Sequence, residues 1–487
     1  MFRSTRFVWV ICVLGGLLRI YQLGSESLWR DEISSATVAQ LPLAQIVENR
    51  SSDVHPPLYY FLLHYWIAFL GSSEFKIRLL SAIFGSASLW PMYKIGRILF
   101  NQFVGIFSAL LLAFAEFHIQ YSQEAKGYSL LTFLTLLSFL SLIKLLEDRK
   151  FFVCGLYVVV NTLLIYTHPY GFFILISQHF FLLYVFFSGT EKNTFTVKEW
   201  VILQSIPLML YLPWVRIFLN QVRKQQAGFW LETPTISSVE RTFSAYAGSR
   251  ASLLLLLFIV VLPWIQHALW KGKDVGNEGA RSLEKRGLRS SNSASWSFAL
   301  LLTWLLTPIL LPFAISQVAT PMYLTRGAGS ASCALYILVA NGVYRIKGAR
   351  ILQPLMGSLI FIFFAVNLYG YYTKVKKEQW RELARYVDNQ AGPGDLVLFY
   401  PSFCQHAFDY YSTRRDLAKK GSWDNGDDEA KRRQLIMMST ESDPVWFILC
   451  DARAKRTSME QMLGEAYSHL SLVHFKELDL VRLEKEE

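Results

Sequence analysis

Apolar residues fall in long runs along most of this chain. The runs cover roughly residues 7–23, 57–71, 78–100, 103–120, 127–146, 151–167, 171–188, 200–219, 251–270, 296–316, 327–344 and 351–372. Many reach the roughly 20 residues that an α-helix needs to cross a bilayer core. Their repetition predicts a polytopic α-helical membrane protein. The run at 57–71 is short, opens on the Pro56-Pro57 pair and carries His64, so it predicts a juxtamembrane helix rather than a crossing. After Tyr372 the pattern changes. KEQWRELARYVDNQ (377–390) predicts an amphipathic helix stopped by the AGPGD turn, and LVLFYP and VWFILC predict short buried strands. The expected domains are a membrane domain, 1–373, with a first outer loop at about 24–77, and a small C-terminal α/β domain, 374–487.

Composition agrees with a membrane protein. Charged residues make up 17% of the chain and hydrophobic residues 53%, against about 25% charged in soluble domains. The net charge of +11 points either to nucleic acid or to the Lys and Arg excess of cytoplasmic loops, and its distribution favours the loops. Suppose that 57–71 does not cross and the N-terminus, with Arg3 and Arg6, is inside. Then Lys94 and Arg97, Lys144, Arg149 and Lys150, Lys192 and Lys198, and Arg345, Lys347 and Arg350 all fall inside, together with the basic loop 271–295. This threading predicts about eleven transmembrane helices plus juxtamembrane helices. It places the C-terminal domain outside and leaves no nucleic-acid partner. Cys12, Cys154 and Cys333 lie in apolar runs, where cysteine behaves as a small hydrophobe. Cys404 and Cys450 lie in the polar tail and are able to pair if that tail is extracytoplasmic.

The same threading gathers the chemistry-bearing residues on the outer side. Asp31 and Glu32, in WRDE, are either an acidic first helical turn, or a general base and its neighbour, or an anchor for a metal or phosphate site. Asp53 and His55, in DVHPP, either open a helix or supply two ligands to a divalent cation, Mg, Mn or Zn. Glu124 and Lys126, in QEAK, are a solvated pair, or a carboxylate for a sugar hydroxyl or metal beside a lysine for a phosphate. His168 and Arg326 stand at outer helix ends as interfacial residues or as substrate contacts, arginine being the natural partner of a lipid phosphate. Arg223 and Lys224, in the 220–250 loop, are candidates for the same task.

Together, LWRDE, HPPLYYFLLHYW, SEFKIRLLSAIFG, GRILF and HIQYSQEAKGYSLL resemble the bacterial glycosyltransferase family 39-like membrane enzymes. These belong to the GT-C superfamily, with the protein O-mannosyltransferases and the aminoarabinose transferases of lipid A. The resemblance covers about residues 7–180, and 378–401 and 445–450 look like the C-terminal region of some members. It implies a GT-C fold, a sugar donor on polyprenyl phosphate, and inverting transfer on the outer side of the cell inner (cytoplasmic) membrane. It also implies an acidic base in the first outer loop, the position where Asp31 and Glu32 fall. Val54-His55 stands where aminoarabinose transferases have Glu-Lys, nearer to the mannosyltransferase pattern Asp-x-His-Pro-Pro. Lys126 stands where relatives often have Arg, and Gly327 where a tyrosine often follows the arginine.

The expected partners are a polyprenyl-phosphate-linked sugar, membrane lipids, and an extracytoplasmic acceptor that is a glycan, lipid or protein. The rival expectation is a non-enzymatic carrier or flippase of lipid-linked sugars. It would need a basic cavity, but no carboxylate beside the anomeric carbon.

Overall fold

The structure, a computed structural model, describes residues 2–188, 196–226, 231–270, 291–346, 351–421, 444–450 and 469–484. Most of the predicted basic loop 271–295 lies outside the described residues, as do Lys192, Lys347 and Arg350. The first helices are α1 (Phe2–Ile20), α2 (Arg30–Ala39), α3 (Leu43–Ser52), α4 (Leu58–Leu70), α5 (Glu74–Ala87), α6 (Leu89–Leu99) and α7 (Gln102–Phe114). There follow α8 (Glu116–Ser122), α9 (Tyr128–Glu147), α10 (Phe151–Thr167), α11 (Tyr170–Ser188), α12 (Val197–Gln226), α13 (Ile236–Ala247) and α14 (Arg250–Trp270). The series ends with α15 (Ser291–Val318), α16 (Ser332–Arg345), α17 (Leu352–Tyr372), α18 (Trp380–Gln390) and α19 (Cys404–Tyr411).

Every apolar run carries a helix. Among the described residues, five helices (α9, α11, α12, α15 and α17) are long and apolar enough to cross a membrane. Two bent pairs, α7–α8 at 60° and α13–α14 at 83°, raise the number to seven if each is one crossing. The expected eleven are therefore not all long, unbroken helices. The 78–100 run divides at Ser88 into α5 and α6, the 103–120 run bends at Ala115, and α16 is only 14 residues long, after a 3-10 turn at Gly327–Ala331. Hydropathy adds up apolar content and does not register where the helical hydrogen-bond ladder breaks.

The chain forms two compact units. One comprises residues 1–21, 38–71 and 77–371, and the other residues 22–37, 72–76 and 372–487. In the first unit, α7 starts where the Asn101 side chain accepts the Val104 N–H at 3.0 Å. It packs tightly on α6: a Cβ on Gly96 would lie 2.9 Å from the Cα of Gly105, the close approach that small residues permit between membrane helices. At the bend after α7, helix-end carbonyls need new donors. Arg19, 1% exposed, supplies them, donating to the carbonyls of Leu112 (3.0 Å) and Ala113 (3.3 Å) and to Ser122 Oγ (3.2 Å). A buried polar chain ties α9, α10 and α11. The Tyr157 hydroxyl donates to Gln178 Oε1 at 2.5 Å, Gln178 Nε2 to Ser138 Oγ at 2.7 Å, and Ser138 Oγ to Asn161 Oδ1 at 2.5 Å. Leu208, Met209, Leu210 and Leu212 on α12, and Ile362 and Val366 on α17, stay exposed, as lipid-facing residues do.

The second unit holds a five-stranded mixed sheet built from β1 (Leu396–Tyr400), β2 (Ala418–Gly421), β3 (Val445–Cys450), β4 (His469–Phe475) and β5 (Leu478–Glu484), in the order β2-β1-β3-β5-β4. β1 pairs in parallel with β2 and β3, and β5 runs antiparallel to β3 and β4. The two strands predicted as buried, β1 and β3, are buried at every residue. The amphipathic α18 buries Trp380, Leu383, Ala384 and Val387. Gly394, at φ +84°, makes the turn that follows, a conformation most side chains resist. Cys404 and Cys450, at the start of α19 and the end of β3, form a disulfide.

Candidate functional site

In the first unit the DVHPP turn joins α3 to α4. Asp53 ends α3 and pairs with the buried Arg50, whose guanidinium lies 4.3 Å from the centre of the Tyr60 ring. The Val54 N–H donates to the other Asp53 oxygen at 2.6 Å. Burial raises the Asp53 carboxyl, but the neighbouring His55, then Arg50 and the Val54 amide, outweigh it and hold the group well below the usual carboxylate range. His55 Nδ1 lies 3.7 Å from the Asp53 carboxylate, and the His55 ring meets His168 edge-on at 5.3 Å between centroids.

His168 links α10 to α11 and is 4% exposed. Its Nδ1 accepts the Tyr170 N–H at 3.1 Å. Burial, then the charges of His55, Arg326 and Lys126, pushes its imidazole well below the usual histidine range, so the ring is neutral. The Tyr128 ring stands 5.6 Å from His168, and the Arg326 guanidinium 5.6 Å from the Tyr128 ring centre. Lys126 sits on the turn between α8 and α9. Its N–H donates to the Glu124 carbonyl at 2.8 Å, and its carbonyl accepts from Ser81 Oγ at 3.2 Å. The residue is 6% exposed, yet among the described residues its ammonium has no hydrogen bond or salt bridge. An ammonium on a largely buried side chain is favoured by a nearby anion, and the charged groups acting beside it on His168 are cationic. Glu124 is buried nearby in sequence, with Gln120 Nε2 donating to its Oε1 at 3.4 Å.

Arg326 also lines an open cleft of about 340 Å³, together with Tyr121, Ser238, Arg241, Tyr323 and Thr325. Sequence reasoning missed these last five as site residues. Tyr121 stands inside HIQYSQEAKGYSLL, whereas Arg241 and Ser238 are brought in by the fold of α13, and Tyr323 and Thr325 by that of the 319–326 segment. Arg50 was also missed, although its i,i+3 spacing to Asp53 is a readable helix signal. Arg223 and Lys224 lie exposed in the last turn of α12. The neighbouring Gln221 donates to the Arg50 carbonyl at 2.8 Å. Among the described residues no three His, Cys, Asp or Glu side chains form a group able to hold a metal ion. Asp53 and His55 make a two-donor set, and the carboxylate is shared with an arginine, which disfavours a dication.

In the second unit, Asp31 and Glu32 occupy the first turn of α2. Glu32 is fully buried, accepting from Lys377 Nζ at 2.9 Å. Arg30 pairs with Glu378 at 2.8 Å, and Glu378 also accepts from the Trp380 indole at 2.6 Å. Ser27 Oγ donates to the Glu378 carbonyl at 2.6 Å, and the Leu28 N–H donates to the Tyr411 hydroxyl at 2.7 Å. WRDE is thus fastened to the KKEQW segment by two charge pairs, of which Glu32–Lys377 is buried. Asp31 is half-buried.

Residues 54–216 match the family described as dolichyl-phosphate-mannose-protein mannosyltransferase. The likeness to this family holds over that stretch, about a third of the chain. The matched region contains His55, Glu124, Lys126 and His168, while Asp31, Glu32, Asp53 and Arg326 lie outside it. The family is one of membrane glycosyltransferases of the GT-C type that use lipid-phosphate sugars. No curated protein sequence matches the chain. Among solved structures, ArnT from Cupriavidus metallidurans in the apo state is similar with a TM-score of 0.59 at 11% identity, covering 99% of this chain and 98% of that one. The same protein bound to undecaprenyl phosphate also gives 0.59 at 11% identity, with 98% of each chain covered. The apo oligosaccharyltransferase of Archaeoglobus fulgidus gives 0.57 at 10% identity, covering 97% of this chain and 74% of that one. At such identities the likeness is one of fold.

Proposed function

We propose that this protein moves a sugar from a polyprenyl-phosphate donor to an acceptor outside the cytoplasmic membrane, inverting the anomeric carbon. The observation that carries this reading is Lys126, a residue only 6% exposed whose ammonium has no hydrogen bond or salt bridge among the described residues, with the Arg326 charge acting on the same imidazole. A phosphodiester fits that place, because it brings a negative charge on a lipid tail. The ArnT fold, recorded with undecaprenyl phosphate bound, supports the same ligand class.

In the proposed reaction an acceptor hydroxyl oxygen attacks the anomeric carbon as the bond from that carbon to the phosphate oxygen breaks. Polyprenyl phosphate leaves as an anion, stabilised by Lys126 and Arg326, so no acid is needed for its departure. The acceptor's proton goes to a carboxylate. Asp31 is the proposed base, on the strength of its motif position, and Glu32 supports it by fixing the start of α2. Side-chain cations neutralise the phosphate, so the scheme needs no divalent ion. The basic clusters among the loops support about eleven crossings, some made by the broken or short helices. The Cys404–Cys450 disulfide supports an extracytoplasmic C-terminal domain, because such bonds persist in oxidising compartments.

Protein reconstituted in liposomes with labelled polyprenyl-phosphate sugars tests this reading. Transfer labels an acceptor and releases free polyprenyl phosphate. Movement of intact donor across the bilayer, without release, would instead establish a carrier or flippase. Mass spectrometry of cell-envelope glycans with and without the protein then identifies the sugar and its attachment point.

A further inference from the structure

His168 carries an unused hydrogen-bond donor. Its Nδ1 accepts the Tyr170 N–H at 3.1 Å, so the neutral ring bears its proton on Nε2. The residue is 4% exposed, and among the described residues Nε2 has no hydrogen-bond partner. A buried donor without a partner is destabilising unless a ligand or water meets it. The surrounding groups narrow the choice of ligand. The charges of Lys126 and Arg326 reach this ring, and the Asp53 carboxylate behind His55 is already paired with Arg50. The environment favours an acceptor that is an anion.

We propose that His168 donates its Nε2–H to the phosphate of the lipid-linked sugar. The inference rests on the lipid-phosphate reading above. The Tyr170 amide fixes the tautomer, so the ring is preset as a donor. It adds a hydrogen bond to the phosphate without adding another positive charge to a buried site that already holds Lys126 and Arg326. As the bond from the anomeric carbon to the phosphate oxygen lengthens, charge builds on the departing phosphate. A donor already aligned with it strengthens its hydrogen bond in the transition state. His168 therefore acts on binding and on turnover alike.

The test uses the purified full chain and undecaprenyl phosphate without sugar. His168→Leu is expected to bind it roughly 10-fold or more weaker, the scale of a hydrogen bond to a charged group. His168→Gln, which restores a side-chain N–H, is expected to recover most of that loss. Nitrogen-15 histidine spectra, assigned by comparison with the Gln variant, should show a protonated Nε2 and a bare Nδ1, with the Nε2 resonance moving on addition of undecaprenyl phosphate. If His168→Leu does not fold, the parent spectra decide. Unchanged binding by His168→Leu, or an Nε2 resonance indifferent to undecaprenyl phosphate, would mean that only water meets this donor and would overturn the proposal. No saturable binding of undecaprenyl phosphate by the parent chain would instead overturn the lipid-phosphate reading itself.

Discussion

Two charged regions of this molecule are built on opposite principles. In the second unit, around WRDE, charges are matched: Glu32 with Lys377, Arg30 with Glu378 and Arg381 with Glu74. In the first unit, around Lys126, several cations gather beside one buried carboxylate, Glu124. Asp53 is taken by Arg50, His168 is neutral, and the Lys126 ammonium has no counter-ion among the described residues. Matched buried charges hold segments in register, and removing one partner strands the other. A cation without a counter-ion on a largely buried residue suits an incoming anion. The same residue types therefore argue for fastening in one region and for ligand binding in the other.

The comparison is sharpened by changing one residue at a time. The largest expected effect is on turnover. Asp31→Asn is nearly isosteric, and loss of a general base should slow transfer by roughly 10²–10⁴-fold, with undecaprenyl-phosphate binding retained. Near-parental turnover in that variant would remove Asp31 from the chemistry and assign all of WRDE to fastening. Next comes stability. Glu32→Gln removes the buried carboxylate that the Lys377 ammonium meets, and breaking a buried pair typically costs about 3–5 kcal/mol. Thermal melts should show the loss, and the double change Glu32→Leu with Lys377→Met should recover much of it. A melt unchanged by Glu32→Gln would mean that the pair fastens nothing. The smallest effect concerns metal. Chelation is expected to leave transfer nearly unchanged, because Asp53 and His55 offer two ligands where a tightly held ion usually has three or more from the protein. Activity lost on chelation and restored only by Mn²⁺ or Zn²⁺ would reverse that view of the DVHPP turn.

Much of the fold was legible from periodicity alone. The runs that end in helices are long and strongly apolar, and LVLFYP and VWFILC are strands because short β-branched and aromatic runs between turns bury both faces. The crossings were less legible. The bend at Ala115 depends on Arg19 reaching across from α1 to the carbonyls of Leu112 and Ala113, a contact that no local pattern encodes. The site divides in the same way. Lys126, His168 and Arg326 stood out because ionisable residues are rare at the edges of apolar runs. Arg241, Ser238 and Tyr323 line the cleft through the way α13 and the 319–326 segment fold, which spacing along the chain does not reveal. The pairing of Glu32 with Lys377 joins residues 345 apart, beyond any sequence signal.

The central claim is that the unmatched cation of the first unit receives a lipid phosphate. The most direct measurement is equilibrium binding of undecaprenyl phosphate to the purified full chain and to its Lys126→Ala and Lys126→Arg variants. A charge-assisted hydrogen bond is worth about 1.5–3 kcal/mol, so Lys126→Ala should bind roughly 10–150-fold more weakly. Lys126→Arg, which keeps the charge, should lose less. Equal affinity in the parent and the alanine variant would contradict this assignment and leave Lys126 without a phosphate ligand.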